Sequence, residues 1–161
     1  MIADVAGVWY LARPLAVTKL ACFFGAPMNV AFFLTPKQDV VWIPARASMR
    51  QTLERMEHHR YSAVPILDDE GLYVGTITEG DLLWKMKGER LTVEAAEHVP
   101  LIEVPRRFGH RAVRIDALIH ELFDAAIEQN FVPVIDDRGV FVGLVRRRAI
   151  IEHLIGLAER S

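Results

Sequence analysis

Cysteine is nearly missing from this chain: Cys22 is the only one in 161 residues. An internal disulfide is excluded, and so is a zinc site built on paired thiolates. A reducing cytoplasm is therefore the expected location. A charge excess is lacking too. The formal net charge is -2, without the basic surplus that nucleic-acid-binding domains carry. There is no P-loop lysine, no nucleophile elbow and no zinc-ligand spacing. The chain is thus expected not to be an enzyme and to hold no metal. Glu54 and His58 lie four apart on a predicted helix, but they lack a second ligand pair and read as a solvated face.

Long apolar runs are also absent. Residues 1–27 are apolar and rich in small residues, with Trp9, Tyr10, Phe23 and Phe24, but Arg13 and Lys19 interrupt them. No stretch approaches the roughly 18 to 20 residues of a spanning helix, and no basic segment precedes the first apolar run. Leu20-Ala21-Cys22 has the outline of a lipoprotein cleavage site, but Lys19 stands where an apolar residue belongs. Three readings stay open: an extension without function, with Met28 as the working start; an extra helix packed on the body; or membrane association. The first is favoured, so residues 1–27 are expected to be dispensable and no membrane partner is expected.

What the chain does have is an internal repeat. Residues 66–75, Ile-Leu-Asp-Asp-Glu-Gly-Leu-Tyr-Val-Gly, align without a gap on residues 134–143, Val-Ile-Asp-Asp-Arg-Gly-Val-Phe-Val-Gly, at an offset of 68. Each copy reads as strand, tight turn, strand, with Asp-Asp-x-Gly supplying the turn and its glycine free to take a positive φ. Before each hairpin lies a helical pattern: Met49, Leu53 and Met56 after a capping Ser48, then Ile119, Leu122, Phe123 and Ala126 after a capping Asp116. The helices align at an offset of 70, which predicts a turn two residues shorter before the second hairpin. Short strands are predicted at Val40–Ile43 and Ala112–Ile115, and second helices around Asp81–Lys87 and Arg147–Leu157. The link from Gly88 to Gly109 is expected to hold a short helix or turn at Val93–His98.

The unit is therefore strand-helix-strand-strand-helix, twice, in the α/β (α+β) class. About 55 residues per copy are too few for a comfortable core, so the copies are expected to pack as a pseudo-two-fold pair. The expected divisions are an extension at 1–27, unit 1 at 28–90 and unit 2 at 91–161.

This organisation resembles the CBS (cystathionine-beta-synthase) domain pair, or Bateman module, over roughly Met28 to Leu157. The most specific element is Gly75-Thr76-Ile77-Thr78-Glu79-Gly80-Asp81, which fits the family's glycine, Ser/Thr and Asp spacing. Tyr61-Ser62-Ala63-Val64-Pro65 is similar to the family's adenine-facing strand. The resemblance implies a site in which Thr78, at a strand-to-helix junction, meets a phosphate. Asp81 would accept from the ribose hydroxyls, and Tyr61 and Val64 would form a slot for the base. Thr78 as a plain helix cap and Asp81 as a solvated first-turn acid are the competing readings.

The second copy departs from the pattern. Gly143-Leu144-Val145-Arg146-Arg147-Arg148-Ala149 puts Arg146 where Thr78 stands and Ala149 where Asp81 stands. Three arginines oppose the positive end of a helix dipole. A bound phosphate between them would remove the conflict; a solvated basic turn paired with Glu152 would also serve. Arg106, Arg107 and Arg111 are candidates to join the same positive field. Asn130-Phe131-Val132-Pro133 through Arg148 is similar to the corresponding part of small bacterial CBS-pair receptors for cyclic di-AMP.

The resemblance implies a regulatory module that binds an adenine nucleotide: AMP, ADP, ATP or cyclic di-AMP. No cofactor is required for that role. The module would signal to an unidentified effector protein through a ligand-dependent surface. A homodimer is expected, because helix faces carrying Met49, Met56, Leu118 and Phe123 look too apolar for one chain to cover. The alternatives are a degenerate dimerisation module without a ligand, or an accessory domain touching nucleic acid through its arginines. Intact Thr78 and Asp81 disfavour the first, and the net acidity disfavours the second.

Overall fold

A computed structural model describes residues 29–107 and 109–159; the expectations for residues 1–27 lie outside the described residues. Seven strands and four α-helices are found there. Strand β1 is Thr35–Pro36, β2 Ile43–Pro44, β3 Ala63–Leu67, β4 Tyr73–Thr78, β5 Val113–Arg114, β6 Phe131–Ile135 and β7 Phe141–Arg146. Helix α1 is Met49–His59, α2 Glu79–Glu89, α3 Ile119–Glu128 and α4 Arg147–Ala158. They form two mixed sheets, β2-β3-β4 and β1-β7-β6-β5, each backed by its own helices.

Helix α1 begins where the sequence predicts. The Ser48 hydroxyl accepts from Gln51 N–H at 3.2 Å, and Gln51 Oε1 accepts from Ser48 N–H at 3.1 Å, a reciprocal cap worth about 0.5 to 2 kcal/mol. Helix α3 differs. Asp116 does not cap it; both its carboxylate oxygens accept from Arg114 at 2.8 Å. Leu118 takes the cap position, and Glu121 reaches back to its N–H at 3.3 Å. The glutamate signal outweighs the aspartate because Arg114, two residues away, has already engaged that carboxylate.

The two-residue difference between the copies has a simple origin. Helix α1 has 11 residues and α3 has 10. Residues 60–62 then lead into β3, against 129–130 into β6. Arg60 closes α1 in the left-handed conformation at φ 57°. Residues 40–42 are not strand; only Ile43–Pro44 pairs, parallel to β3. Val40 and Trp42 instead pack around Leu67, Phe141 and Leu144. In the link, the predicted turn is a short 3-10 helix at Ala95–His98, followed by another at Leu101–Glu103.

The hairpin turns are built alike. Gly71 and Gly139 take φ of 82° and 86°. Asp68 Oδ1 accepts from Leu72 N–H at 2.7 Å and Asp136 Oδ1 from Val140 N–H at 2.8 Å. The two hairpins then pair with each other. Tyr73 N–H donates to Gly139 O at 3.1 Å and Phe141 N–H to Gly71 O at 3.0 Å. These two bonds exchange residues exactly one repeat apart, so the pseudo-two-fold axis runs between Leu72 and Val140.

The N-terminal segments cross over this axis. β1 leads unit 1 but pairs antiparallel with β7, Thr35 opposite Leu144 and Pro36 opposite Gly143. Seventy residues on, Arg106 lies along β4, its guanidinium donating to Val74 O at 2.9 Å. Each unit thus lends its leading segment to the other.

The apolar faces assigned to a partner need correction. Met49, Met56 and Phe123 are core residues, 0, 2 and 9% exposed. Met49 and Met56 pack with Ile43, Val64 and Ile77, and Phe123 with Phe33 and Val132. Of the four residues, Leu118 alone is exposed. A single chain covers these faces because the crossed segments add Phe33 and Val104 to the two cores.

Gly143 is where the crossing is tightest: a Cβ there would stand 2.2 Å from Thr35 O and 3.1 Å from Pro36 Cα. Gly143→Val is expected to lower stability by about 1 to 3 kcal/mol through overpacking against backbone, measured by urea denaturation. Gly88→Ala, at an exposed helical site with nothing within 4 Å, should instead gain about 0.5 to 1 kcal/mol.

Candidate functional site

The two sheets leave a pair of clefts between the units, related by the pseudo-two-fold axis. The first has a volume of about 300 Å³. Its apolar wall is Val40, Val41, Ala63, Pro65, Phe131 and Leu144, and Arg60, Arg146 and Arg148 stand around it with Tyr61, Ser62 and Asn130. The second, of about 380 Å³, is lined by Ser62, Ala63, Thr78, Gly109, His110, Glu128, Gln129 and Asn130. Ser62, Ala63 and Asn130 line both.

Each cleft draws on both units. Tyr61 and Pro65, grouped in the sequence with Thr78, lie instead in the arginine cleft with Arg146 and Arg148, while Thr78 lines the other. The reason is the strand order: the start of β3 lies beside the end of β4 but also faces β6 and β7 across the axis. Strand alternation splits the predicted base slot. Ala63 and Pro65 face the cleft, whereas Val64 is 1% exposed in the unit 1 core and Val132 0% exposed in the unit 2 core. Pro133 is buried opposite Leu144 and lines neither cleft.

Thr78 and Asp81 are bound to each other. The Thr78 hydroxyl accepts from Asp81 N–H at 3.1 Å, capping α2, and donates to Asp81 Oδ2 at 2.7 Å. Oδ2 also accepts from Thr78 N–H at 3.0 Å. Oδ1 accepts from Arg107 N–H at 3.0 Å, which ties down the link between the units. Asp81 is only 3% exposed and lines neither cleft. Its carboxylate, held by three donors, fixes the Thr78 side chain and the crossing segment together.

The three arginines after β7 divide. Arg147 turns away from the cleft and bonds Asn130 Oδ1 and, at 3.4 Å, Ile127 O. There it meets the negative end of α3, where a cation is favourable. Arg148 stands over the cleft wall and pairs with Glu152 at 2.6 Å. This exposed i,i+4 pair is worth only about 0.3 to 0.5 kcal/mol. Arg106, Arg107 and Arg111 do not join the group. Arg106 lies on Val74, Arg107 over the Trp84 ring at 5.1 Å, and Arg111 3.7 Å from Glu121.

Aromatic rings stiffen both clefts. Tyr61 stacks on His59 at 5.7 Å, and His110 on Phe131 at 5.7 Å. The Tyr73 hydroxyl donates to His110 O at 3.3 Å and sits 2.8 Å from the Thr76 hydroxyl. Burial pushes this phenol up to about 12, against the pull of Thr76 and Arg106.

Arg60, His110, Gln129 and Glu128 were not singled out from the sequence, and Asn130 entered only as the start of a similar stretch. A signal existed: Arg60 and Glu128, and Ser62 and Asn130, lie 68 apart, so the offset of the hairpins carries them into matching places.

Residues 33–88 and 104–156 match the family model described as "CBS domain". The chain belongs to the CBS-domain family, as a tandem pair. Among solved structures it is similar to CbpB in complex with c-di-AMP, at a TM-score of 0.77 and 21% identity over 89% of this chain and 96% of that one. It is also similar to CBSX2 in complex with AMP, at a TM-score of 0.62 and 21% identity over 81% and 98%. A further relative is the inosine-5'-monophosphate dehydrogenase of Helicobacter pylori, 22% identical over 116 residues. The match covers 72% of this chain but only 23% of that enzyme.

Because Thr78 and Asp81 form one hydrogen-bonded unit, their substitutions should not add. Thr78→Ala and Asp81→Ala are each expected to cost about 1 to 3 kcal/mol of stability. The double variant should cost clearly less than the sum, as read by thermal or urea unfolding.

Proposed function

We propose that the chain is a regulatory module that binds an adenine nucleotide and signals by a change of surface, without turning its ligand over. The observation that carries this reading is the arginine cleft: three guanidiniums, Arg60, Arg146 and Arg148, around an apolar slot. Such a site suits a flat base on the Ala63, Pro65 and Phe131 wall with phosphate at the arginine fork. The c-di-AMP and AMP complexes of CBS pairs with this fold support the same ligand class. The candidates are AMP, ADP, ATP and cyclic di-AMP.

The other expectations fit as parts of this proposal. Thr78 is one of the polar groups of the second cleft, and Asp81 holds it in position. A homodimer in the cytoplasm, acting on an effector protein, is the proposed working state. Leu83 on α2 and its repeat partner Ile151 on α4 are both exposed, 52 and 47%, and are the faces proposed to meet a second copy. Among the described residues no helix is long and apolar enough to cross a membrane. Nucleic acid is disfavoured as the main partner by the net charge of -2 and by the dispersal of Arg106, Arg107 and Arg111.

Calorimetry with AMP, ADP, ATP and cyclic di-AMP tests the ligand class. Replacing both Arg146 and Arg148 by alanine should weaken the best phosphorylated ligand tenfold or more while leaving adenosine within about twofold, since charged hydrogen bonds carry about 1.5 to 3 kcal/mol. Equal losses would mean the arginines serve the fold. Ligand recovered after incubation should be intact; steady multiple turnover by pure protein would end the proposal. Light scattering at micromolar concentration should give a dimer, and Leu83→Glu with Ile151→Glu a monomer.

A further inference from the structure

The pseudo-two-fold axis makes the clefts alike in shape, so their charges can be compared position by position. Arg60, at the end of α1, has Glu128 as its counterpart at the end of α3. Arg146 is matched by Thr78 and Arg148 by Gly80, each pair 68 apart. Of the three cations around the first cleft, one is replaced around the second by the carboxylate of Glu128 and one by the uncharged Thr78, while Gly80 does not line it. Among the described residues no lysine or arginine lines the second cleft.

The helix termini sharpen the contrast. A helix N-terminus ordinarily favours an anion. The first turn of α2, beside Thr78, already carries Glu79 and Asp81, whereas the first turn of α4 carries no acid. Asp81 is buried there, and the Thr78 hydroxyl already donates to its Oδ2. A phosphate entering the second cleft would meet Glu128 at its rim and a helix dipole whose positive end is already offset.

From this charge inversion we infer that the second cleft takes a nucleoside without phosphate, and prefers a cationic substituent to an anionic one. The arginine cleft alone is then the phosphate site. Ser62, Thr78 and Asn130 supply uncharged polar groups for a base and sugar, and about 380 Å³ is room enough for that moiety. The inference rests on the reading of both clefts as nucleotide sites. It divides the ligand classes between them.

NMR of the full chain separates the clefts, because Gly109 lines only the second and Tyr61 only the first; the His110 ring is unsuitable because it stacks on Phe131 of the first wall. The Gly109 amide and Tyr61 ring signals are assigned with Gly109→Ala and Tyr61→Phe. The probes are adenosine, AMP and 5'-amino-5'-deoxyadenosine, which carries a cation where AMP carries phosphate. Adenosine should shift the Gly109 amide, and the amino nucleoside should do so at several-fold lower concentration. AMP should shift Tyr61 and reach Gly109 only at tenfold higher concentration or more. Glu128→Arg, an exposed exchange at a helix end, should bring AMP to Gly109 at least tenfold more tightly, with Tyr61 unchanged and the melting temperature kept. The inference is overturned if AMP moves both signals at one concentration in the unaltered chain, or if neither adenosine nor the amino nucleoside moves Gly109. No shift at either signal with any probe would instead remove the nucleotide reading of both clefts, and this inference with it.

Discussion

The reciprocal bonds between the hairpin tips, Tyr73 N–H to Gly139 O and Phe141 N–H to Gly71 O, are the constraint on which the other features depend. They fix the angle at which the sheets face each other, and so the width of both clefts. They also bring Leu67, Phe141 and Leu144 into one cluster shared by the two halves. Each half alone would expose that cluster and two strand edges. The crossed segments close those edges: β1 on β7, and Arg106 on β4. Backbone pairing sets the geometry, and burial of the shared cluster supplies the driving force.

Asp81 joins this framework to the second cleft. It completes the Thr78 cap of α2, orients the Thr78 hydroxyl and accepts from the Arg107 N–H. Thr78 and the segment that links the units are therefore held by one carboxylate, and from that segment Arg107 reaches over the Trp84 ring, as Lys87 does. Coupling of a cleft to that surface requires a ligand that binds one arrangement better than the other.

Local chemistry was legible in the sequence where it was self-contained. The Asp-Asp-x-Gly turns, the Ser48 cap and the repeat offset depend on residues within a few positions of one another, and all appear in the structure. The resemblance carried the fold because the duplicated hairpins fix its topology. What the sequence hid was anything crossing the axis. Tyr61 and Thr78 read as one site because they belong to one repeat, yet the clefts are assembled from both. Val64 was misplaced into the base slot because family strand motifs do not state which side of the pleat faces inward. Asp116 failed as a cap because Arg114 competes for it. Met49 and Met56 read as uncovered because the segments that cover them come from residues 96 to 104, far along the chain.

The exchange of leading segments gives the chain the layout of two identical subunits with swapped arms, joined end to end. Two separate copies of one ancestral unit, assembled in this way, would carry identical clefts by symmetry; a substitution in one would appear in the other. Joining them in a single chain removes that bond. The position held by Arg60 in one repeat and Glu128 in the other shows what becomes accessible: covalent tandem linkage lets a symmetric scaffold carry charges of opposite sign at matching places. The linkage also sets the effective concentration of one half for the other, so the pairing survives dilution while the clefts diverge.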